Sequence, residues 1–203
     1  MGTINTINTL GWQSVARETD EESWWNRPKT VVPHAEFYVR EYDIEADKTN
    51  PNPYKWVVKN SFDYFAGKRV VLFSLPGAFT PTCSTMQLPG FEEKYDEFKA
   101  LGIDEIYCIS VNDSFVMNAW AKAQNLKNVK VIPDGSSEFT NRMNMTVDKD
   151  NLGFGVRSWR YAMVVNNGKI EQMFVEPGKR DNAKDDPYGE TSPDNILAWL
   201  KTA

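Results

Sequence analysis

Three apolar segments, separated by segments with helical periodicity, constrain the fold of this chain more than any other feature. The apolar segments read RVVLFSL, EIYCISVN and VKVIPD and begin at residues 69, 105 and 129. Continuous apolar runs of this length are typical of strands buried on both faces. Between them, FEEKYDEFKALGI places its aromatic residues on one helical face and ends at Gly102, while DSFVMNAWAKAQNL begins with Asp113 as a cap.

The remaining segments add antiparallel strands and further helices. RYAMVVNNGKIEQMFVE predicts a hairpin, because two strand-like runs flank Asn167-Gly168, a pair that favours a primed turn. SPDNILAWLKTA predicts a final helix with Ser192 as its cap, and SSEFTNRMNM a short one. AEFYVREYD and residues 54–58 predict an earlier pair of strands. The whole order predicts an α/β fold with a mixed central sheet flanked by helices, formed by residues 31–203 after a polar extension over residues 1–30.

Composition excludes several classes of function. The formal net charge of −5 and the lack of a basic run argue against nucleic-acid binding. No signal peptide and no segment long enough to span a membrane is found, so a cytoplasmic protein without membrane contact is expected. Two cysteines and one histidine, His34, cannot supply a zinc site or a disulfide framework. No Gly-rich loop follows a strand in phosphate-binding spacing. We therefore predict no metal and no cofactor, and His34 as a surface or packing residue.

Cys83 is the candidate nucleophile. It follows the first apolar strand and stands at a predicted loop-to-helix junction, where helix amides without intrahelical partners stabilise a thiolate. Pro76 and Pro81 stiffen the loop, and Thr80 adds a hydroxyl. Without a histidine base, activation must come from the amides and a nearby cation. Cys108, inside the strand YCIS, is predicted to be a core residue.

At this point the sequence resembles the peroxiredoxins of the peroxiredoxin-5 type. PGAFTPTC matches the motif P-x-x-x-T-x-x-C through Pro76, Thr80 and Cys83, and the resemblance spans roughly residues 33–201. It continues, in order, through ISVNDSFVMNAW, IPDGSSEFT, LGFGVRSWRYAMVVNNGKI and VEP. The LGFGVRSWRY portion is most similar to bacterial peroxiredoxins that are fused to a glutaredoxin.

The resemblance implies a thioredoxin-like fold, a homodimer and peroxidase chemistry on hydrogen peroxide and organic hydroperoxides. Cys83 would be oxidised to a sulfenic acid, with Thr80 and the Cys83 amide binding the peroxide and Pro76 shielding the sulfur. Arg160 of SWRY would be the required cation. Arg157 is either a second active-site cation or a surface salt-bridge residue.

Two departures from the family refine this interpretation. Gln87 stands where relatives usually carry histidine, and the C-terminal region lacks the resolving cysteine of some relatives. A one-cysteine mechanism is therefore expected, with glutathione or glutaredoxin as the reductant, and thioredoxin as another candidate. The same thiolate could instead serve a peroxide-sensing redox relay that passes oxidation to a partner protein. A structural role independent of Cys83 is the third alternative.

Overall fold

A computed structural model describes residues 29–46 and 48–203, within which there are nine strands and six α-helices. The strands are β1 (Glu36–Tyr42), β2 (Tyr54–Asn60), β3 (Arg69–Ser74), β4 (Glu105–Ser110), β5 (Lys130–Pro133), β6 (Thr146–Asp148), β7 (Val156–Ser158), β8 (Tyr161–Asn166) and β9 (Lys169–Val175). The helices are α1 (Ser61–Phe65), α2 (Leu88–Glu93), α3 (Tyr95–Ala100), α4 (Ser114–Ala123), α5 (Glu138–Arg142) and α6 (Pro193–Leu200), with a π-helical turn at Cys83–Gln87 and a 3₁₀ turn at Asp150–Leu152.

Five strands form the central sheet in the order β5-β4-β3-β8-β9. The first three are mutually parallel, whereas β8 pairs antiparallel with both β3 and β9. The predicted mixed sheet is thus confirmed. The predicted pair of early strands is also present, as an antiparallel hairpin of β1 and β2 outside the central sheet.

Helices cover both faces of this sheet, as predicted. Alternate residues of β3 enter two separate cores: Val71 and Phe73 face one, and Val70 and Leu72 the other. The first core is completed by α2, α3, α4 and α6, and the second by β1, α1 and α5. No helix among the described residues is long and apolar enough to cross a membrane.

The β8–β9 hairpin turns as its sequence predicts. Asn167 and Gly168 have φ angles of 48° and 79°, the pair of positive values that a primed two-residue turn requires. Close to this turn, the Ile170 amide donates to the Thr30 carbonyl at 2.9 Å, which ties the beginning of the described chain to β9. The extension over residues 1–28 lies outside the described residues. His34 is exposed, as expected.

The helix that carries Cys83 begins two residues earlier than the sequence indicates. Its first helical residue is Pro81, and the Ser84 amide donates to the Thr80 carbonyl at 3.0 Å. Proline is favoured there because the amide it lacks would have no helical partner. The Leu88 amide then bonds to the Cys83 carbonyl, five residues back, which defines the π-helical turn. Such turns often mark functional sites.

The segment FEEKYDEFKALGI forms two helices, not the single helix that its periodicity predicts. Lys94, with φ −95° and ψ 12°, leaves the helical conformation and separates α2 from α3. The apolar face survives this break, because Phe91 and Phe98 are both buried with ring centroids 5.7 Å apart. Gly90 allows α6 to approach closely, since a Cβ there would lie 3.2 Å from Pro193 Cγ.

Candidate active site

Cys83 lies just beyond the carboxyl end of β3, where the chain turns into a helix. Its side chain is fully buried and belongs to the first core. Pro76, in the connecting loop, is buried as well, and Phe79 turns the loop with a φ of 64°. The helix-initiating Pro81 follows. Loop and helix together place the sulfur inside the protein, next to the first helical turn.

Arg160 provides the cation beside this sulfur. It connects β7 to β8, its side chain is 1% exposed, and its Nη1 donates to Cys83 Sγ at 3.5 Å. The same nitrogen donates to Gln87 Oε1. Nη2 forms a salt bridge with Asp186 at 2.5 Å, and the guanidinium carbon lies 5.7 Å from the centre of the Tyr188 ring. The structure therefore brings a buried arginine into direct contact with the candidate nucleophile.

The electrostatics keep this arginine charged. Burial lowers the pKa of Arg160, but the negative charges of Cys83 and Asp186 outweigh it, and the net direction is upward. Arg160 Nε is buried and has no hydrogen-bond partner among the described residues. One N–H of the guanidinium is thus left to donate to a bound oxygen, in surroundings where an unpaired donor costs about 1–3 kcal/mol.

Gln87 links the arginine to a second buried network. Its Nε2 donates to Thr191 Oγ1 at 3.5 Å, and the Thr191 hydroxyl donates to Glu176 Oε1 at 2.8 Å. The same carboxylate oxygen accepts the amides of Gly189 and Thr191, each at 2.8 Å. Gln87 thus holds Arg160 from the helical side and connects it to a carboxylate that fixes the segment 189–191.

The hydroxyl of Thr80 is oriented by its own loop. It donates its proton to the Gly77 carbonyl at 2.8 Å, so its lone pairs remain as acceptors. Asn112 holds the same loop from the sheet side, because its Oδ1 accepts the Ala78 amide at 3.0 Å and the Ser110 hydroxyl at 2.7 Å. Sequence reasoning missed Asn112. Its signal was a polar residue two positions after the end of a buried parallel strand, where functional groups gather.

Among the described residues, the guanidinium of Arg157 contacts the chain just after β4 and no carboxylate. Its Nη1 donates to the carbonyl of Val111 at 2.5 Å, and its guanidinium lies 5.6 Å from the centre of the Phe154 ring. Among the described residues it forms no salt bridge and has no hydrogen bond to Cys83. Burial lowers its pKa. Arg160 is therefore the arginine that contacts the sulfur.

Cys108 is a buried residue of β4 in the first core, as predicted. Burial raises the pKa of its thiol well above the ordinary value; the nearby charge of Cys83 raises it further, and Arg160 lowers it less. Both cysteines are free. Cys108 is accordingly a neutral thiol that packs in the core. Within the described ranges no cluster of three metal-ligating side chains occurs.

Comparison with known proteins identifies the family. The Redoxin family model matches residues 51–189. A peroxiredoxin from Rhizobium etli is 67% identical over 153 residues, which cover 75% of this chain and 86% of that protein. A hybrid peroxiredoxin from Haemophilus influenzae is 49% identical over 146 residues, covering 72% of this chain and 59% of the hybrid.

Solved structures agree with the sequence relatives. The 1-Cys peroxiredoxin of Plasmodium falciparum has a TM-score of 0.79 and 39% identity, covering 85% of this chain and 98% of its own. Reduced Prx3 of Vibrio vulnificus in complex with hydrogen peroxide has a TM-score of 0.70 and 37% identity, covering 84% and 93%. With a cysteine and an arginine in contact beyond the end of the first parallel strand, the chain belongs to the peroxiredoxins, peroxiredoxin-5 type, and has their thioredoxin-like fold.

Proposed function

We propose that this peroxiredoxin reduces hydrogen peroxide and organic hydroperoxides by a one-cysteine mechanism, with Cys83 as the nucleophile. The contact of 3.5 Å between Arg160 Nη1 and Cys83 Sγ, inside the core, is the observation that carries the proposal. A guanidinium favours the thiolate over the neutral thiol, and the thiolate is the form that attacks peroxides. Since the single histidine, His34, is exposed and has no contact with Cys83, Arg160 is the charged group that favours the thiolate.

The reaction forms one S–O bond and breaks one O–O bond. The Cys83 thiolate attacks the hydroxyl oxygen of the peroxide, the other oxygen leaves as an alkoxide or hydroxide, and a proton from water completes the alcohol or water. Cys83 becomes a neutral sulfenic acid. Arg160 stabilises the negative charge that develops on the leaving oxygen, and its unpaired Nε–H is a donor of the required kind.

The loop residues take complementary roles in peroxide binding. Since the Thr80 hydroxyl already donates to Gly77, it accepts the O–H of the peroxide. The amide of Cys83, in the first helical turn, donates to a peroxide oxygen. Pro76, which is buried, excludes water from the sulfur. These groups hold the peroxide in line with the sulfur while the arginine polarises it.

An external thiol completes the cycle. The chain has two cysteines, and Cys108 is buried on β4, which leaves no resolving cysteine near the surface. A glutathione thiolate attacks the sulfenic sulfur, forms a mixed disulfide and releases water. A second glutathione, or a glutaredoxin, then restores the Cys83 thiol and leaves oxidised glutathione. A hybrid peroxiredoxin among the relatives supports this class of reductant.

The reductant is tested by a coupled assay with purified protein. We expect peroxide-dependent NADPH consumption with glutathione, glutaredoxin and glutathione reductase. With thioredoxin and its reductase we expect a lower rate, since Cys83 is fully buried and a tripeptide such as glutathione reaches the sulfenic sulfur more easily than a folded protein does. Equal or faster turnover with thioredoxin would reassign the reductant. Negligible turnover with both systems, together with partner proteins trapped on Cys83 as mixed disulfides, would favour the redox relay.

We further propose that the protein forms a homodimer through the surface that surrounds the active-site loops. Phe79 and Phe115 are each 56% exposed, and Phe115 packs edge to face against exposed Trp56 at 5.6 Å. Large exposed aromatic groups of this kind mark interaction surfaces.

Light scattering at micromolar concentration is expected to give twice the chain mass of 23.2 kDa. Phe115→Glu should shift the protein to a monomer, because a dimer would bury the new carboxylate. Val175→Glu is the matched control, on the edge strand at the opposite side of the sheet from β5, and should leave the dimer intact. A wild-type monomer would contradict this proposal.

A further inference from the structure

Arg160 has two anionic neighbours, and only one of them takes part in the proposed chemistry. Cys83 Sγ lies 3.5 Å from Nη1, and Asp186 Oδ1 lies 2.5 Å from Nη2. The arginine side chain is 1% exposed, whereas that of Asp186 is 44% exposed. Cys83 and Asp186 therefore share one buried positive charge, through different nitrogens of the guanidinium.

The charge on Cys83 disappears in every catalytic cycle, because the thiolate becomes a neutral sulfenic acid. The guanidinium stays charged, as arginine does in proteins. A buried charge that loses its partner destabilises a fold far more than an exposed one does. Among the described residues, Asp186 is the carboxylate in contact with Arg160, so it is the one that can compensate this charge after oxidation.

Other contacts hold the segment that carries Asp186 in place. Asp186 begins a short segment whose far end, at Gly189 and Thr191, is fixed by three hydrogen bonds to the buried carboxylate of Glu176. The Tyr188 ring, midway along the segment, lies 5.7 Å from the Arg160 guanidinium carbon. An aspartate on the surface is thereby directed at an arginine in the interior.

We propose that Asp186 is a redox-linked counter-ion: it keeps Arg160 paired when Cys83 loses its charge, and it competes with the oxidised sulfur for the guanidinium. The proposal rests on the proposed function, since it requires a thiolate that becomes a sulfenic acid. A sulfenate anion, which attacks a second peroxide to give sulfinate and water, would need the same guanidinium. By occupying Nη2, Asp186 disfavours that anion and slows over-oxidation.

A double-mutant cycle tests the pairing without any turnover. Asp186→Asn is introduced into the wild-type chain and into Cys83→Ser, which has no thiolate, and urea unfolding is followed under reducing conditions at neutral pH. We expect Asp186→Asn to lower the urea midpoint more in the Cys83→Ser background, by about 0.3 M beyond its effect in wild type. In the Cys83→Ser background, the Asp186→Asn substitution leaves Arg160 with no anionic partner among the described residues. In the wild-type chain the Cys83 thiolate still pairs with Arg160, and the substitution also removes the repulsion between the two anions.

Asp185→Asn is the matched control. Asp185 is the preceding residue and forms an exposed salt bridge with Arg180, away from the active site. Its replacement should lower the midpoint equally in both backgrounds. Equal effects of Asp186→Asn in both backgrounds, or a larger effect in wild type, would overturn the counter-ion role. The unfolding measurement needs no peroxide. A protein that has no peroxidase activity but shows the expected difference between the two backgrounds would therefore contradict the proposed function and not the counter-ion role.

Over-oxidation gives a second, independent readout. After the same number of peroxide turnovers, mass spectrometry should find about threefold more sulfinic acid on Cys83 in Asp186→Asn than in Asp185→Asn. The excess follows because an unpaired Arg160 stabilises the sulfenate. Equal sulfinic fractions in the two variants would show that Asp186 does not compete with the oxidised sulfur, and would overturn that part of the proposal.

Discussion

Cys83→Ser is expected to abolish peroxide turnover completely. Serine keeps the position and the hydrogen-bonding capacity of the side chain, but its hydroxyl is not ionised by a neighbouring arginine and is a far weaker nucleophile toward an O–O bond. Peroxide consumption by the purified variant, in the glutathione-coupled assay, should fall to the rate of the protein-free mixture. Residual turnover above that rate would place the reacting sulfur elsewhere.

Cys108→Ser is the matched control for this result. Cys108 is equally buried, but it lies on β4, and its thiol is neutral because burial raises its pKa. Its replacement should retain most of the turnover per folded molecule, although a buried hydroxyl costs about 1–3 kcal/mol of stability when it finds no partner. A folded but inactive Cys108→Ser would indicate an intramolecular disulfide step and contradict the one-cysteine mechanism.

Arg160→Met is expected to slow the oxidation of Cys83 by about two orders of magnitude. One charge-assisted donor in a water-excluded site is worth roughly 3 kcal/mol in the transition state. Methionine removes both the charge next to the sulfur and the donor to the leaving oxygen, while it fills most of the same volume. Stopped-flow measurement of the reaction with hydrogen peroxide gives the rate constant directly.

Arg157→Met separates this effect from a general loss of positive charge. Arg157 lies on β7, three residues before Arg160, and its Nη1 donates to the carbonyl of Val111 instead of contacting the sulfur. Its replacement should leave the oxidation rate within about threefold of wild type, as expected when no transition-state contact is removed. A comparable loss in both variants would mean that the rate depends on the total charge and not on the contact with Cys83.

Most of the fold could be predicted from local patterns. The apolar runs became the parallel strands, Asn167-Gly168 became the hairpin turn, and Asp113 caps α4 through hydrogen bonds to two amides. Such features depend on residues close together in sequence. The break at Lys94 could not be predicted, because periodicity reports which side of a helix is apolar and does not report where its backbone bonds are interrupted.

The same distinction between local and long-range features applies to the residues of the active site. Cys83, Thr80 and Pro76 lie within one short stretch, and the resemblance located Arg160; the structure places that arginine against the sulfur. Asp186 gave no signal, since it is one acidic residue among several in an irregular segment and its importance depends on a contact across 26 positions. Contacts of that kind come from the folded chain and not from any local pattern.

The two halves of the active site are attached to the protein in different ways. Arg160 is built into the sheet: it directly precedes β8, and its carbonyl accepts the Glu176 amide at 3.2 Å. Cys83 sits in the π-helical turn, whose backbone bonds span five residues where a regular helix spans four. We therefore expect local opening of this turn to expose the sulfenic acid to an external thiol, while Arg160 keeps its position next to the sheet. After each reduction, we expect the helix to close again and to bring Cys83 back into contact with Arg160, whose position has not changed.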